Sequence, residues 1–306
     1  MTEQLSLSVA AILNTYCRPN VCLEALDSIA AQIDPPDQLI VIDDGSDNHT
    51  PDNVEKWLKE HQLSFPARLI RQSNRGLAAA RNRAASEAGD CDVFAFLDDD
   101  DLWPKDYIER VRRVMSDQPD LAAASADRFD IDLRKGTRKL RTLDQINENT
   151  TELLFVEGLP GNPNTVFRAG PFKDSGGYDE AHHRCAEDFL FMLKLSLKNK
   201  WGHIPGDPVI IRTGTEDTRF AVHLHKHVPD HCLLLAQMME QFALHEGGEK
   251  VMRGPYWKKR LGRMWYSAGR QLRGLGRNGE ATDCFERALE LLPWHLRARM
   301  RVLVSG

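Results

Sequence analysis

Residues 93–101 read V-F-A-F-L-D-D-D-D, a short apolar run followed by four aspartates in succession. An apolar run rich in Val and Phe reads as a strand covered on both faces, as in a parallel sheet between helix layers. In such sheets, ligands bind just beyond the carboxyl ends of the strands. Adjacent carboxylates repel one another, so their charge needs a counterpart there. A hard divalent cation, Mn²⁺ or Mg²⁺, bridging to a substrate diphosphate supplies one; an acidic surface turn is the plain alternative. A calcium loop of the EF-hand type is excluded, because Trp103 stands sixth from Asp98, where glycine is required.

The same grammar recurs upstream. Residues 7–15 predict a first buried strand, and Gln38–Ile42 a second that runs into Asp43-Asp44-Gly45-Ser46. A short strand follows at 67–71. Helices are expected over 20–32, 51–61, 77–88 and 105–118, with another strand at 121–126 and a mostly apolar helix opened by Glu187-Asp188. Strand-helix alternation of this kind defines an α/β chain with a mostly parallel, Rossmann-like sheet flanked by helices. The charged stretch 127–152 reads as a loop or irregular excursion.

The chain of 306 residues is long enough for one large domain, placed at 1–225, and a smaller helical region at 226–306. Trp265, Gly269, Ala281, Phe285, Ala288 and Pro293 follow tetratricopeptide spacing over about 262–295, with Leu272 in place of the usual Tyr. No second copy is visible, and a lone repeat must cover its face by docking. Residues 250–306 carry 13 Lys/Arg against 4 Asp/Glu, in a chain of net charge −5. A basic tail with Tyr256, Trp257, Trp265 and Tyr266 suits an anionic partner such as a lipid headgroup; a solvated helical face or a protein contact is the alternative. No apolar stretch reaches membrane-span length, and the N-terminus lacks a secretory pattern. Six cysteines without metal or disulfide spacing suit a reduced setting. The expected location is therefore cytoplasmic, with peripheral attachment at the inner membrane face as an option.

Four motifs in order, N-T-Y-C-R-P at 14–19, I-D-D-G-S at 42–46, F-L-D-D-D-D at 96–101 and A-E-D-F at 186–189, resemble glycosyltransferase family 2. The resemblance covers roughly residues 5–215. It implies a GT-A fold and an inverting, metal-dependent transfer of sugar from a nucleoside diphosphate sugar, UDP-sugar by preference, to a hydroxyl acceptor. That acceptor would be a glycan or lipid-linked glycan in polysaccharide or glycoconjugate synthesis, with no nucleic acid involved. Thr15, Tyr16 and Arg18 would line the nucleotide pocket. Asp44, with Asp43 beside it, would take a base N–H, although an Asp-Gly turn accounts for the same residues.

The segment N-R-G-L-A-A-A-R-N at 74–82 is similar to a family segment that brings Arg81 toward the diphosphate or the acidic cluster; a structural ion pair is the other reading. The family's D-x-D falls on Asp98-Asp99-Asp100. It implies Asp100 as metal ligand, Asp98 as metal or ribose contact, Asp99 as added potential near the nucleotide, and Asp101 as an orienting neighbour. Leu102-Trp103-Pro104 is one residue shorter than is usual for relatives. Asp188 would be the general base and Glu187 an acceptor-positioning group; helix capping explains the pair equally simply.

The histidine that often follows the Arg of the last core strand is missing after Arg212. His223, in a run with His225, His227 and His231, is the substitute metal ligand, against ordinary surface or core histidines. Two other functions stay open. One is a sugar-nucleotide nucleotidyltransferase, though residues 11–20 contain no glycine for a triphosphate loop. The other is a non-catalytic nucleotide-binding adaptor acting through its helical tail.

Overall fold

Four segments without internal Gly or Pro form the first four strands, and the second and fourth end in the acidic motifs. In the computed structural model, which describes residues 7–158, 160–182, 186–214, 230–252 and 256–303, they are β1 (Val9–Thr15), β2 (Gln38–Asp43), β3 (Ala67–Arg71) and β4 (Val93–Asp98). They run parallel in the order β3-β2-β1-β4. Helices α1 (Val21–Ala30), α2 (Thr50–Glu60) and α3 (Leu77–Glu87) make the crossovers, and α4 (Tyr107–Asp117) follows β4.

Side-chain alternation along β1 divides the core. Val9, Ala11 and Leu13 pack with α1, α2 and α4 through Leu26, Ile29, Trp57 and Ile108. On the opposite face, Phe96 meets Phe167, Phe172 and Tyr178 at 5.7–6.0 Å between ring centroids.

The rest of the sheet is mixed. β5 (Leu121–Asp132) pairs with β6 (Thr137–Arg141) and β7 (Thr165–Arg168) antiparallel and with β8 (Lys200–Thr213) parallel, while β7, which runs into the short α6 (Ala169–Asp174), also pairs antiparallel with β4. The mostly parallel α/β sheet of the sequence reading is thus present, and so is a helical C-terminal region. The segment expected as loop at 127–152 differs. It holds the second half of β5, all of β6 and most of α5 (Ile146–Glu157). Cross-strand pairing explains the difference: Asp130 accepts both Arg128 and Arg141 at 2.9 Å, so charges that read as solvated loop stabilise a hairpin.

The chain divides into two compact units: Met1–Thr150, Pro160–His183 and Lys198–Thr218 form the first, and Thr151–Leu159, Arg184–Leu197 and Arg219–Gly306 the second. The boundary expected at 225 lies outside the described residues. The second unit contains most of α7 (Glu187–Lys198), with α8 (His231–Gln241), α9 (Gly248–Met252), α10 (Tyr256–Gly274), α11 (Asn278–Leu291) and α12 (Leu296–Leu303).

The tetratricopeptide-like residues form the α10/α11 interface: Trp265, Ala268, Gly269, Ala281, Phe285 and Ala288 are all buried. This corrects one part of the membrane expectation, because Trp265 is a core residue. Tyr266 packs on Phe285 and His295. Tyr256 is exposed, as are Trp294, Leu296 and Met300. No described helix is long and apolar enough to cross a membrane. Among the described residues the cysteines are free thiols: Cys17, Cys22, Cys91 and Cys284 are buried and Cys232 partly so.

Gly269 allows the close approach of α10 and α11. A Cβ there would stand 2.6 Å from Phe285 Cε1 and 2.9 Å from the Ala281 carbonyl oxygen. Gly269→Ala gains about 1 kcal/mol of helix propensity but overpacks a site bounded by backbone, at about 1–3 kcal/mol. The net expectation is a lowered melting temperature in calorimetry.

Candidate active site

Register brings the ends of three parallel strands level. Thr15 of β1 lies opposite Asp43 of β2, and Asn14 of β1 opposite Asp98 of β4. Sheet order reverses at β1, with β2 and β3 on one side and β4 on the other. Such a switch point opens a crevice above the carboxyl ends.

The aspartate run turns sharply after β4, with the Asp101 amide donating to the Asp98 carbonyl at 3.1 Å. Asp98 and Asp101 have partners of their own, and Asp99 and Asp100 share Arg18. Asp98 Oδ1 accepts from Arg81 Nη2 at 2.8 Å. Asp99 is buried and accepts from Thr15 Oγ1 at 2.7 Å and Arg18 Nη1 at 2.9 Å. Asp100 Oδ2 lies 2.6 Å from the same Arg18 nitrogen. Asp101 Oδ1 accepts from the Arg212 amide at 2.7 Å, and Arg212 Nε donates to the Asp100 carbonyl.

Arg81 reaches Asp98 because Ala78, Ala79, Ala80, Ala84 and Ala85 let α3 lie close to the sheet, and its guanidinium also covers the Tyr178 ring at 5.4 Å. Burial pushes the Asp99 carboxyl up to about 7, against the pull of Arg18. Burial also raises Asp100 and Asp101, and the neighbouring aspartates add to it. Burial opposes the Arg18 charge, but Asp99 and Asp100 hold its pKa above the ordinary value.

At the end of β2 the two aspartates behave differently. Both oxygens of Asp44 are engaged: Oδ1 accepts from Gln72 Nε2 at 2.7 Å and the Arg75 amide at 2.9 Å, and Oδ2 from the Gly76 amide at 2.8 Å. Its pKa is raised by burial, and these hydrogen bonds work against the rise. Asp44 thereby clamps the loop that leads into α3. Gly45 sits beneath the same loop at φ +79°, where a Cβ would stand 2.6 Å from the Asn74 amide nitrogen, so no other residue fits. Asp43 is 1% exposed, accepts from the Ser46 amide at 3.3 Å, and keeps Oδ1 without a partner among the described residues.

Of the nucleotide-site candidates, Thr15, Arg18, Arg81, Asp98, Asp99 and Asp100 converge in the first unit, with Asp43 and Asp44 at the adjoining strand end. Tyr16 is 38% exposed beside Cys17, whose backbone adopts φ +56°. Glu187 and Asp188 belong to the second unit and occupy the first turn of α7. Glu187 is buried, and Asp188 Oδ1 accepts from the Phe189 amide at 2.7 Å, a local bond at the helix start. Ala186 precedes them at φ +58°, a left-handed conformation that is unfavourable for alanine. His223 lies outside the described residues.

Sequence reasoning gave no role to Arg212, which anchors two of the aspartates, or to Asn14, a polar residue at the end of an apolar run.

The donor set suits a hard cation. Asp98 and Asp100 offer carboxylate oxygens and are the less buried members of the run, at 32% and 20% side-chain exposure. No group of three or more His, Cys, Asp or Glu arranged to hold a metal occurs among the described residues. Two carboxylates, with phosphate and water completing the shell, is the usual arrangement for Mg²⁺.

Residues 11–175 match the model of glycosyl transferase family 2, so the chain belongs to that family. EpsH of Bacillus subtilis (strain 168), a glycosyltransferase by name, is 35% identical over 120 residues, 39% of this chain and 33% of EpsH. The match thus spans only a third of that relative's length. Among solved structures, Staphylococcus aureus TarS residues 1–349 in complex with UDP-GlcNAc superposes with a TM-score of 0.60 at 16% identity, covering 97% of this chain and 89% of that one. A mannosyltransferase from Pyrobaculum calidifontis, PcManGT, in complex with GDP-Man and Mn²⁺, gives 0.61 at 18% identity, covering 97% and 83%. These likenesses establish the GT-A-type fold.

Asp44→Ala would strand two backbone amides and the Gln72 amide in the loop before α3. Each lost partner costs about 1–3 kcal/mol when the group stays buried, so the variant should melt several degrees lower in the absence of any ligand. Asp44→Asn, which keeps one acceptor oxygen, should lose less. Equal melting of wild type and Asp44→Ala would remove the clamp.

Proposed function

We propose that this chain transfers a sugar from a nucleoside diphosphate sugar to a hydroxyl acceptor with inversion at the anomeric carbon. The carrying observation is the level array of strand-end carboxylates, Asp43 and Asp98–Asp101, interleaved with Arg18 and Arg81 at a topological switch point in a family 2 chain. The bound UDP-GlcNAc of TarS and the bound GDP-Man and Mn²⁺ of PcManGT support a nucleotide sugar and a divalent cation for this chain as well. A UDP-sugar is the preferred donor, and a glycan or lipid-linked glycan the preferred acceptor.

Within this reading Asp43, rather than the fully engaged Asp44, receives the base N–H on its unpaired Oδ1. Tyr16 offers a ring face to the base. Asp98 and Asp100 are the side chains that would hold Mn²⁺ or Mg²⁺, which supplies Lewis-acid neutralisation of the departing diphosphate. Their occupation frees the Arg18 and Arg81 guanidinia to face phosphate oxygens, which suit planar bidentate donors. Asp99, held by Thr15 and Arg18, keeps the turn in place beneath them. Asp188 takes the proton of the acceptor hydroxyl as that oxygen attacks, an assignment that rests on the A-E-D-F motif.

Thermal shift with UDP and GDP, each with and without Mn²⁺, tests the reading. A ligand at about a hundred times its Kd adds about 2.7 kcal/mol of stability. UDP with Mn²⁺ should give the largest shift, and Asp100→Ala should abolish the Mn²⁺-dependent part. No nucleotide shift in any condition would overturn the proposed function.

Asp188 separates binding from chemistry. Asp188→Asn keeps the shape and the local acceptor for the Phe189 amide. Loss of a positioned general base costs about 10²–10⁴ in rate, so kcat should fall by that factor while UDP affinity stays at the wild-type level. A pure helix-start role predicts unchanged turnover, since Asn serves there as well as Asp.

A further inference from the structure

Asn14 is the penultimate residue of β1, 5% exposed, and neither its Nδ2 nor its Oδ1 has a hydrogen-bond partner among the described residues. Buried side-chain amides ordinarily satisfy both ends, because an unpaired donor or acceptor away from water forfeits its hydration without return. Nothing in the packing requires an amide here. Ala10 and Ile12 precede Asn14 on the same face of the strand, and its register neighbour on β2 is Ile42. An aliphatic side chain would suit that position better.

Its other register neighbour is Asp98 of β4, across the point where strand order reverses. The amide therefore stands beside the first carboxylate of the acidic run, at the carboxyl end of the central parallel strand.

We propose that Asn14 is a specificity-determining residue for the sugar hydroxyls of the nucleotide, and the inference rests on the function proposed above. A hydroxyl both donates and accepts, and a side-chain amide offers both complements. Asn14 Oδ1 accepts a ribose hydroxyl hydrogen and Nδ2 donates to a hydroxyl oxygen, while Asp98 accepts from the neighbouring hydroxyl. The other parts of the ligand fit Asn14 less well. The phosphates have the cation that Asp98 and Asp100 would hold, with Arg18 and Arg81, as stronger partners than a neutral amide. The base N–H has an acceptor at Asp43, which by strand alternation faces the other side of the sheet. The pair Asn14–Asp98 is left facing a vicinal diol.

The test is calorimetry of UDP, 2′-deoxy-UDP and 3′-deoxy-UDP in saturating Mn²⁺, on wild type, Asn14→Leu and Asn14→Ala, with melting of each protein alone. Wild type should bind UDP about tenfold or more tighter than at least one deoxy analogue, the size expected for a hydrogen bond to a desolvated partner. Both variants should bind UDP about tenfold more weakly and lose that discrimination. Free Asn14→Leu should melt at or above wild type, because it removes two unpaired atoms and keeps the branching and number of heavy atoms.

Wild-type UDP affinity and undiminished discrimination in the variants would overturn the inference, and a lowered melting point with them would assign Asn14 a structural role. Asn14→Ala, which cannot overpack, keeps the test valid if leucine does not fit. Failure of wild type to bind UDP or GDP would instead refute the proposed function, on which the inference stands.

Discussion

Neutralisation of the aspartate run is the constraint on which the carboxyl edge of the sheet depends. Two like charges about 4 Å apart repel by about 4 kcal/mol at an effective dielectric constant near 20, and here four carboxylates follow one another at the end of a buried strand. The structure answers with arginines from three separate segments: Arg18 from the loop after β1, Arg81 from α3 and Arg212 from the end of β8. None is adjacent to the run in sequence. Meeting the charge therefore ties three segments to the end of β4 and sets the shape of the crevice. The carboxyl groups that keep raised pKa values, Asp99, Asp100 and Asp101, show that burial still outweighs this compensation. An acidic site short of positive charge is receptive to a cation, and a site whose arginines are already in place loses little organisation when they turn to phosphate.

The parallel half of the sheet was legible because β1, β2 and β4 are apolar runs of ordinary strand length that end in an acidic or polar signal, and helical segments separate them. Its acidic ends carry direct information, since parallel strands necessarily place their carboxyl ends on one edge. The second half was less legible for a physical reason. Between 127 and 152 the polar residues are satisfied by cross-strand pairs such as Asp130 with Arg128 and Arg141, and periodicity cannot distinguish a charge paired across a hairpin from one in solvent. The helical tail was legible as a spacing pattern, but its aromatic residues were not sorted into buried and exposed. Trp265 packs inward, while Trp294, just after α11, is open to solvent.

Within the site, residue types were easier to read than roles. Adjacent aspartates in I-D-D-G-S look equivalent, but alternation turns them to different tasks. Asp43 stays with the strand and keeps a free oxygen, whereas Asp44 passes into the turn and spends both oxygens on the loop before α3. Sequence cannot divide such a pair, because the division depends on where backbone amides 31 and 32 residues away are directed.

Asn14 and Asp43 are buried polar side chains with unmet hydrogen-bonding atoms, on neighbouring strands at the same edge of the sheet. The Tyr107 hydroxyl on α4 is also buried without a partner among the described residues, but it lies in the apolar core and not at the strand ends. Most of the parallel half is consistent: apolar residues face apolar residues, and the buried Arg81 and Asp99 have partners. Where a fold is consistent across most of its core, exceptions gather at positions kept for something other than stability. An unmet acceptor on β2 and an unmet amide on β1 flank the switch point and lie next to a carboxylate cluster with surplus charge. Together they describe a surface whose stability is completed by a polar, partly anionic ligand with hydroxyl and N–H groups to offer.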